Sequence, residues 1–321
     1  MYNLKLLTVE DYEKFEDLYN DFCAKAKSEY NFELEPIDFK GFVESVQKGY
    51  ITCVVLYDNH VLSGFLVYTT AISEAVELNL IHCKDKENYG DYARELLKKF
   101  LELTKDIRKQ KVVCYPMLGN QRTLVGEVVK LGFQFVGTEV LRFLIDGNSK
   151  ELFSRARIAE MPEDYRVISW DEDYFEDAVK IINEAFINSA DALFDPRFKT
   201  LEGCRDIITK VVKDVYAKFL PDATSVLLYR NKPVGFSFMN ITDTIVNIPL
   251  VGIKQEHQGK GLSTLMLKHS MDVILGIAKY KGITEINTTT ETDNLQALRL
   301  YKNLGFVEDY NYPQAYMPVE V

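Results

Sequence analysis

The sequence repeats itself, and the repeat constrains the fold more than any other feature. VLYDNHVLSGFLVYTT (55–70) is matched by LLYRNKPVGFSFMNIT (227–242), with Gly64 opposite Gly235. Both read as strand, short polar turn, strand. EDY at 10–12 recurs at 172–174, each time ahead of a helix-patterned segment, and LGFQFVG (131–137) is echoed by LGFVEDY (304–310). Three matches in the same order at similar spacing point to a duplicated domain. A chain of 321 residues with 47% hydrophobic content has room for two cores. The polar stretch from Gly147 to Pro162 marks the boundary, giving 1–147, a linker at 148–162, and 163–321.

The second copy predicts strand 165–170, helix 171–186, and a loop at Asp195 and Pro196 followed by a helix to about Leu220. Strands follow at 224–230, 233–242 and 244–253, then a helix to Tyr280, a strand at 283–290, a helix at 294–304 and two closing strands. Pro249 cannot donate to a ladder, so it marks a bulge or an unpaired edge in the strand 244–254.

QEHQGKGLSTLM (255–266) opens the long helix of this copy. Unpaired N–H groups at a helix start lie at the positive end of its dipole and suit a phosphate, and glycine lets the backbone approach the ligand. A P-loop needs G-x-x-x-x-G-K followed by Ser or Thr, but Gly259-Lys260 is followed by Gly261 and residue 254 is lysine. A dinucleotide fingerprint needs a third glycine at 264, which is Thr. Thirty-odd residues on, TETDNLQALRLYKNLGF (290–306) reads as a helix capped by Asp293 or Asn294 and ended by Gly305. Asn294, Ala297, Leu298 and Tyr301 share one face of it.

Gln258-Gly-Lys-Gly261-Leu-Ser263, together with Asn294, Ala297, Tyr301, Gly305 and Phe306, resembles the two motifs of the GNAT N-acetyltransferase superfamily. Ser263 departs from that pattern, which has Gly or Ala there. The resemblance implies an α/β (α+β) fold: two tandem GNAT-like domains, each a mixed, mostly antiparallel sheet flanked by helices. It implies acetyl-CoA as cofactor, with its pyrophosphate on Gln258, Gly259, Lys260, Gly261, Leu262 and Ser263. Val251, Gly252 and Ile253 would pair with pantetheine amides, and Asn294 would contact the cofactor arm. The reaction implied is direct attack of a small-molecule or peptide amine in a ternary complex. Tyr301 is the expected general acid, because a phenol of pKa ~10 stays protonated near a thiolate leaving group. The general base stays open among Glu291, Asp243 and a water chain. The alternative is a sensor that binds acyl-CoA without turnover.

The first copy lacks these features. IHCKDKENYGDYARELL (81–97) holds only Gly90, amid acids. Aligning Gly132-Phe133 with Gly305-Phe306 sets Val128 opposite Tyr301 and Gln121 opposite Asn294. A structural role, or a wall of the substrate cleft, is expected for it. The net charge of −10 disfavours nucleic acid as a partner, including the tRNA of aminoacyl-tRNA-dependent peptidyl transferases built on paired folds of this type. Five scattered cysteines without a C-x-x-C pair, and four histidines without H-E-x-x-H, predict reduced thiols and no metal. No apolar run spans a bilayer and no signal-peptide pattern opens the sequence, so a cytoplasmic protein without a membrane partner is expected.

Overall fold

The computed structural model describes residues 2–32, 35–70 and 75–319. The chain runs through β1 (Tyr2–Leu6), α1 (Tyr12–Tyr30), α2 (Phe39–Gln47), β2 (Thr52–Asp58), β3 (Val61–Thr69), β4 (Ala75–Cys83), α3 (Tyr89–Leu103), β5 (Val112–Pro116), α4 (Val125–Lys130) and β6 (Gln134–Leu144). It continues through α5 (Ser149–Ser154), β7 (Tyr165–Ser169), α6 (Phe175–Phe186), α7 (Asp191–Phe194), α8 (Leu201–Val212), β8 (Lys218–Phe219), β9 (Ser225–Tyr229) and β10 (Lys232–Ser237). Last come β11 (Asn240–Thr242), β12 (Ile245–Asn247), β13 (Val251–Ile253), α9 (Leu262–Lys281), β14 (Glu285–Glu291), α10 (Leu295–Asn303) and β15 (Val307–Met317). The result is a mixed α/β fold with mostly antiparallel sheets flanked by helices.

The repeat is structural as well as sequential. A short 3-10 turn precedes both α1 and α6. Hairpins β2–β3 and β9–β10 turn on Asn59-His60 and Arg230-Asn231, all four with positive φ, as the twist of a two-residue hairpin demands. A Cβ on Gly64 would lie 2.8 Å from Cys83 Sγ of β4, and one on Gly235 would lie 2.9 Å from Ile253 Cγ1 of β13. In both copies glycine lets the next strand approach.

Compactness divides the chain into one unit of residues 1–137, 193–195 and 312–321 and another of 138–192 and 196–311. In the first unit β1 to β4 form antiparallel neighbours, and β4 meets β5 in parallel through Ala75–Glu77 only. Gln314–Met317 closes the other side of β5. Side chains alternate across this sheet. Val55 and Phe65 bury against Phe15, Tyr19 and Phe22 of α1, whereas Val54, Leu56 and Leu66 bury against Leu96 and Phe100 of α3.

The second unit contains the order β13-β10-β9-β7 and, separately, the order β6-β14-β12-β11-β8, with β6 contributing Thr138–Leu144. Helices α6 and α8 cover one face through Ile181, Ile182, Ile207 and Ile208, and α9 covers the other through Leu265, Met266 and Met271. Three expectations shift. Helix α8 ends at Val212, where Asp214 adopts φ 60° and its carboxylate accepts from Phe219 N–H at 2.6 Å. The strand expected at 233–242 is interrupted at Phe238–Met239. The two closing strands are one, β15, which contains Pro313 and pairs with β5 through Gln314–Met317.

Candidate active site

Pro249 lies where the strand 244–254 leaves one sheet for another. Before it, β12 pairs in parallel with β14, and Ile248 N–H still donates to Asn287 O at 3.0 Å. After it, β13 pairs antiparallel with β10. Phe238 N–H donates to Leu250 O at 2.8 Å and Lys254 N–H donates to Val234 O at 2.9 Å. These two bonds fix the alternation, so Gly252 turns its backbone groups toward β10, while Val251 and Ile253 turn theirs outward along the edge of the sheet. Gly252 also admits α6, since a Cβ there would lie 3.0 Å from both Ala185 Cβ and Ile182 Cδ1. The N–H of Leu250 finds no acceptor among the described residues. An edge strand with unpaired amides is a template for another amide-bearing chain.

The glycine loop continues from that edge. Gly259 and Gly261 hold φ of 75° and 71°, a region costly for residues with a Cβ. Nothing lies within 4 Å of a Cβ on Gly259, and only Ala159 Cβ, at 3.9 Å, approaches one on Gly261. The glycines therefore serve the path of the backbone and leave space above it. Backbone N–H groups of residues 259–263 reach no acceptor among the described residues, and α9 starts without a side-chain cap. Leu262 is anchored in the core, while Ser263 is half-buried at the first turn. Together these donors form the cradle that a phosphate needs.

Side chains brace this loop. Gln258 Nε2 donates to Ile253 O at 2.9 Å, tying the loop to β13. Lys260 Nζ donates to Tyr165 Oη and to Glu256 O, each at 3.3 Å, and stands 5.9 Å from the Tyr165 ring centre. Tyr165 Oη lies 2.7 Å from Nδ1 of His257, which is buried. Burial, and secondarily Lys260 and Lys254, lower the His257 pKa against the pull of Glu256. A neutral imidazole accepts the Tyr165 proton at Nδ1 and leaves Tyr165 free to accept from Lys260. The sequence pattern had not singled out Tyr165 or His257; His257 was visible only as a member of the quoted loop.

Helix α10 supplies the second motif. Asn294 is its cap: Oδ1 accepts from Ala297 N–H at 3.1 Å and Nδ2 donates to Glu291 Oε2 at 3.2 Å. Asp293 does not cap. Gly305, with φ 94°, ends the helix. Tyr301 is 5% exposed and packs on Phe306, with ring centres 5.3 Å apart. Burial raises its pKa, opposed by a hydrogen bond with Thr288. Thr288 Oγ1 also donates to Ile248 O at 3.2 Å, which connects Tyr301 to the backbone next to Pro249. Thr288 is a site residue that the sequence pattern did not reveal.

The two carboxylates raised as bases separate by position. Glu291 follows Thr288 on β14, whereas Asp243 lies in the turn before β12, at the end opposite Pro249. Six residue steps of extended chain from Asp243 to Pro249 span roughly 20 Å. Among the described residues no group of His, Cys, Asp or Glu is placed to hold a metal, and all five cysteines are free thiols. No helix of the described residues is long and apolar enough to cross a membrane.

In the first unit Gln121 occupies the corresponding opening. It is fully buried, and its Oε1 accepts from Ile81 N–H at 3.0 Å and from Tyr115 Oη at 2.9 Å. An amide of the splayed part of β4 is thereby satisfied within the chain. Val128, aligned with Tyr301, is core.

The structure thus places a strand edge beside a glycine-led helix, with a buried tyrosine behind the opening. Residues 221–308 match the acetyltransferase (GNAT) domain family, and this segment contains every site residue above from Val251 to Tyr301. A 59-residue stretch is 37% identical to N-alpha-acetyltransferase 30 of Schizosaccharomyces pombe, covering 18% of this chain and 37% of that relative's length. The whole chain superposes on a GCN5-related N-acetyltransferase from Sphaerobacter thermophilus with a TM-score of 0.66 at 14% identity, covering 96% of that protein. It also superposes on a tandem GNAT protein from the clavulanic acid biosynthesis pathway, with a TM-score of 0.60 at 11% identity and 99% of that chain covered. The fold along the full length is that of tandem GNAT proteins.

Proposed function

We propose that residues 163–321 transfer an acetyl group from acetyl-CoA to the amine of a small molecule or peptide, and that residues 1–147 have lost cofactor binding. The observation that carries this reading is the cluster of unpaired N–H groups at residues 259–263 beside the outward-facing amides of Val251 and Ile253, with Tyr301 behind the break at Pro249. The residues present suit the cofactor: donors for a pyrophosphate at 259–263, outward amides at Val251 and Ile253, and space above both glycines. Acetyl-CoA would supply an activated thioester carbonyl and a thiolate leaving group. The N–H groups that β13 turns outward, at Val251 and Ile253, would polarise a carbonyl at the break. Tyr301, with its pKa raised, keeps its proton at neutral pH and can donate it to a departing sulfur. Asn294 orients α10 rather than reaching outward, because its cap bonds use both ends of its carboxamide.

The test is free-thiol release from acetyl-CoA with a panel of amines, for the wild type and Tyr301→Phe. Turnover falling by about 10²-fold in the variant, with acetyl-CoA affinity held within about twofold, supports the acid role. Unchanged turnover removes Tyr301 from it. Tight acetyl-CoA binding with no turnover on any amine would make the protein a sensor instead.

A further inference from the structure

A line of carboxamides crosses the second unit's sheet on the face turned away from α9. Asn240 pairs with Asn247 across β11 and β12, and Asn247 pairs with Asn287 across β12 and β14. Their direction follows from their neighbours. Phe219, the other partner of Asn240, belongs to the core under α6 and α8, whereas Val246 and Ile286, adjacent along the strands, belong to the core under α9. Directly paired residues share a face, so the three amides form one row about 10 Å long.

Asn240 and Asn287 are 5% and 8% exposed, and Asn247 is half-buried. None of the three side chains hydrogen-bonds to a described residue, and Asn240 Oδ1 is buried without a partner. Buried carboxamides in native proteins are nearly always partnered, so a row that ends on the buried, unpartnered Asn240 Oδ1 marks a place built for something else. Beyond Asn287 the row meets Arg142, whose charge is taken up by Glu285 at 2.9 Å and Asp309 at 2.7 Å. Beyond Asn240 it meets the rings of Phe219 and Trp170, 6.0 Å apart. The row itself is neutral and presents donors and acceptors side by side.

Its position relates it to the break. Asn247 and Asn287 each immediately precede the residues, Ile248 and Thr288, that join at Pro249. Thr288 and Tyr301 lie on the α9 and α10 side of the sheet, and the amides lie on the other. A molecule held by the row therefore reaches the break from the side opposite Tyr301.

We infer that Asn240, Asn247 and Asn287 hold the carrier of the acceptor amine, and that this carrier is neutral and rich in paired donor–acceptor groups, either amides or hydroxyls. The inference rests on the acetyl-transfer reading for what lies across the break, yet the row can be tested by binding alone. Full-length protein loaded with coenzyme A is titrated calorimetrically with alanyl-alanine amide, glucosamine and spermidine. One of the two probes with a neutral carrier should bind more tightly than spermidine, and which one it is separates amide from hydroxyl carriers. Asn247→Leu and Asn287→Leu should each weaken that probe by about tenfold, a loss of ~1.4 kcal/mol, while coenzyme A binding stays unchanged. Both variants should melt at or above the wild-type temperature, because leucine removes an unpartnered polar group. Tighter binding of spermidine, no binding of either amide or hydroxyl probe, leucine variants that bind like wild type, or a lowered melting temperature with binding retained would each overturn the inference. Failure of the acetyl-transfer reading shows separately, as wild-type protein that takes up no acetyl-CoA.

Discussion

Replacing Gly261 with alanine should separate the cofactor-binding role of the loop from its backbone strain, provided Gly282→Ala is made beside it. The two glycines occupy nearly the same left-handed conformation, φ 71° and 66°, at opposite ends of α9. Neither is crowded: a Cβ on Gly282 meets nothing within 4 Å, and one on Gly261 meets only Ala159 at 3.9 Å. Each substitution therefore costs chiefly the left-handed penalty of about 1–2 kcal/mol. At roughly 2–4 °C per kcal/mol for a body of this size, both variants should melt about 2–8 °C below wild type. Only Gly261→Ala places a methyl group where the 259–263 amides converge. Its acetyl-CoA affinity should drop by at least about tenfold, or ~1.4 kcal/mol, whereas Gly282→Ala should bind like wild type. Calorimetric titration with acetyl-CoA and thermal melting of the same samples give both numbers. Equal affinities in the two variants would refute the assignment of this loop to the pyrophosphate.

Three further outcomes follow from other contacts. His82 is buried between Tyr30 Oη at 2.8 Å and Asp21 at 2.9 Å, and burial lowers its pKa from 6.5 to about 4. The unfolded chain then binds the extra proton first, so stability present above pH 6.5 is lost as pH falls toward 4, by an order of 3 kcal/mol. Urea midpoints should drop between pH 7 and pH 5, and less steeply in His82→Gln; parallel drops would contradict this. Gln121→Leu leaves Ile81 N–H and Tyr115 Oη without their acceptor, so it should destabilise by roughly 2–5 kcal/mol in urea melts while acetyl-CoA affinity holds. Asn294→Ala removes the α10 cap and should cost about 1 kcal/mol by thermal melting; a loss of acetyl-CoA affinity far beyond that would instead place Asn294 against the cofactor.

Much of the candidate site was legible because its signals are local. Gly259, Gly261 and Gly305 are required by backbone conformation, Asn294 caps the helix that follows it, and Pro249 cannot enter a ladder. Such residues answer to neighbours a few positions away, and a sequence displays those neighbours. Thr288 and the three asparagines gave no such signal. Threonine and asparagine in a strand look alike wherever they point, and only register decides the face.

The sequence by itself determined that the fold occurs twice, that one copy keeps the glycine loop and the Asn–Tyr helix, and that the other copy does not. Tertiary structure alone decided which strands keep company. Thr138–Leu144 pairs with β14, and Gln314–Met317 pairs with β5, so the last strand of each copy closes against the fifth-strand position of the other. No residue in either segment announces its partner, because alternating apolar strands of similar length are interchangeable until packing selects among them. The same physics places Tyr301: the helix pattern fixed its face, but only the break at Pro249, read through Thr288 and Ile248, put an opening in front of it.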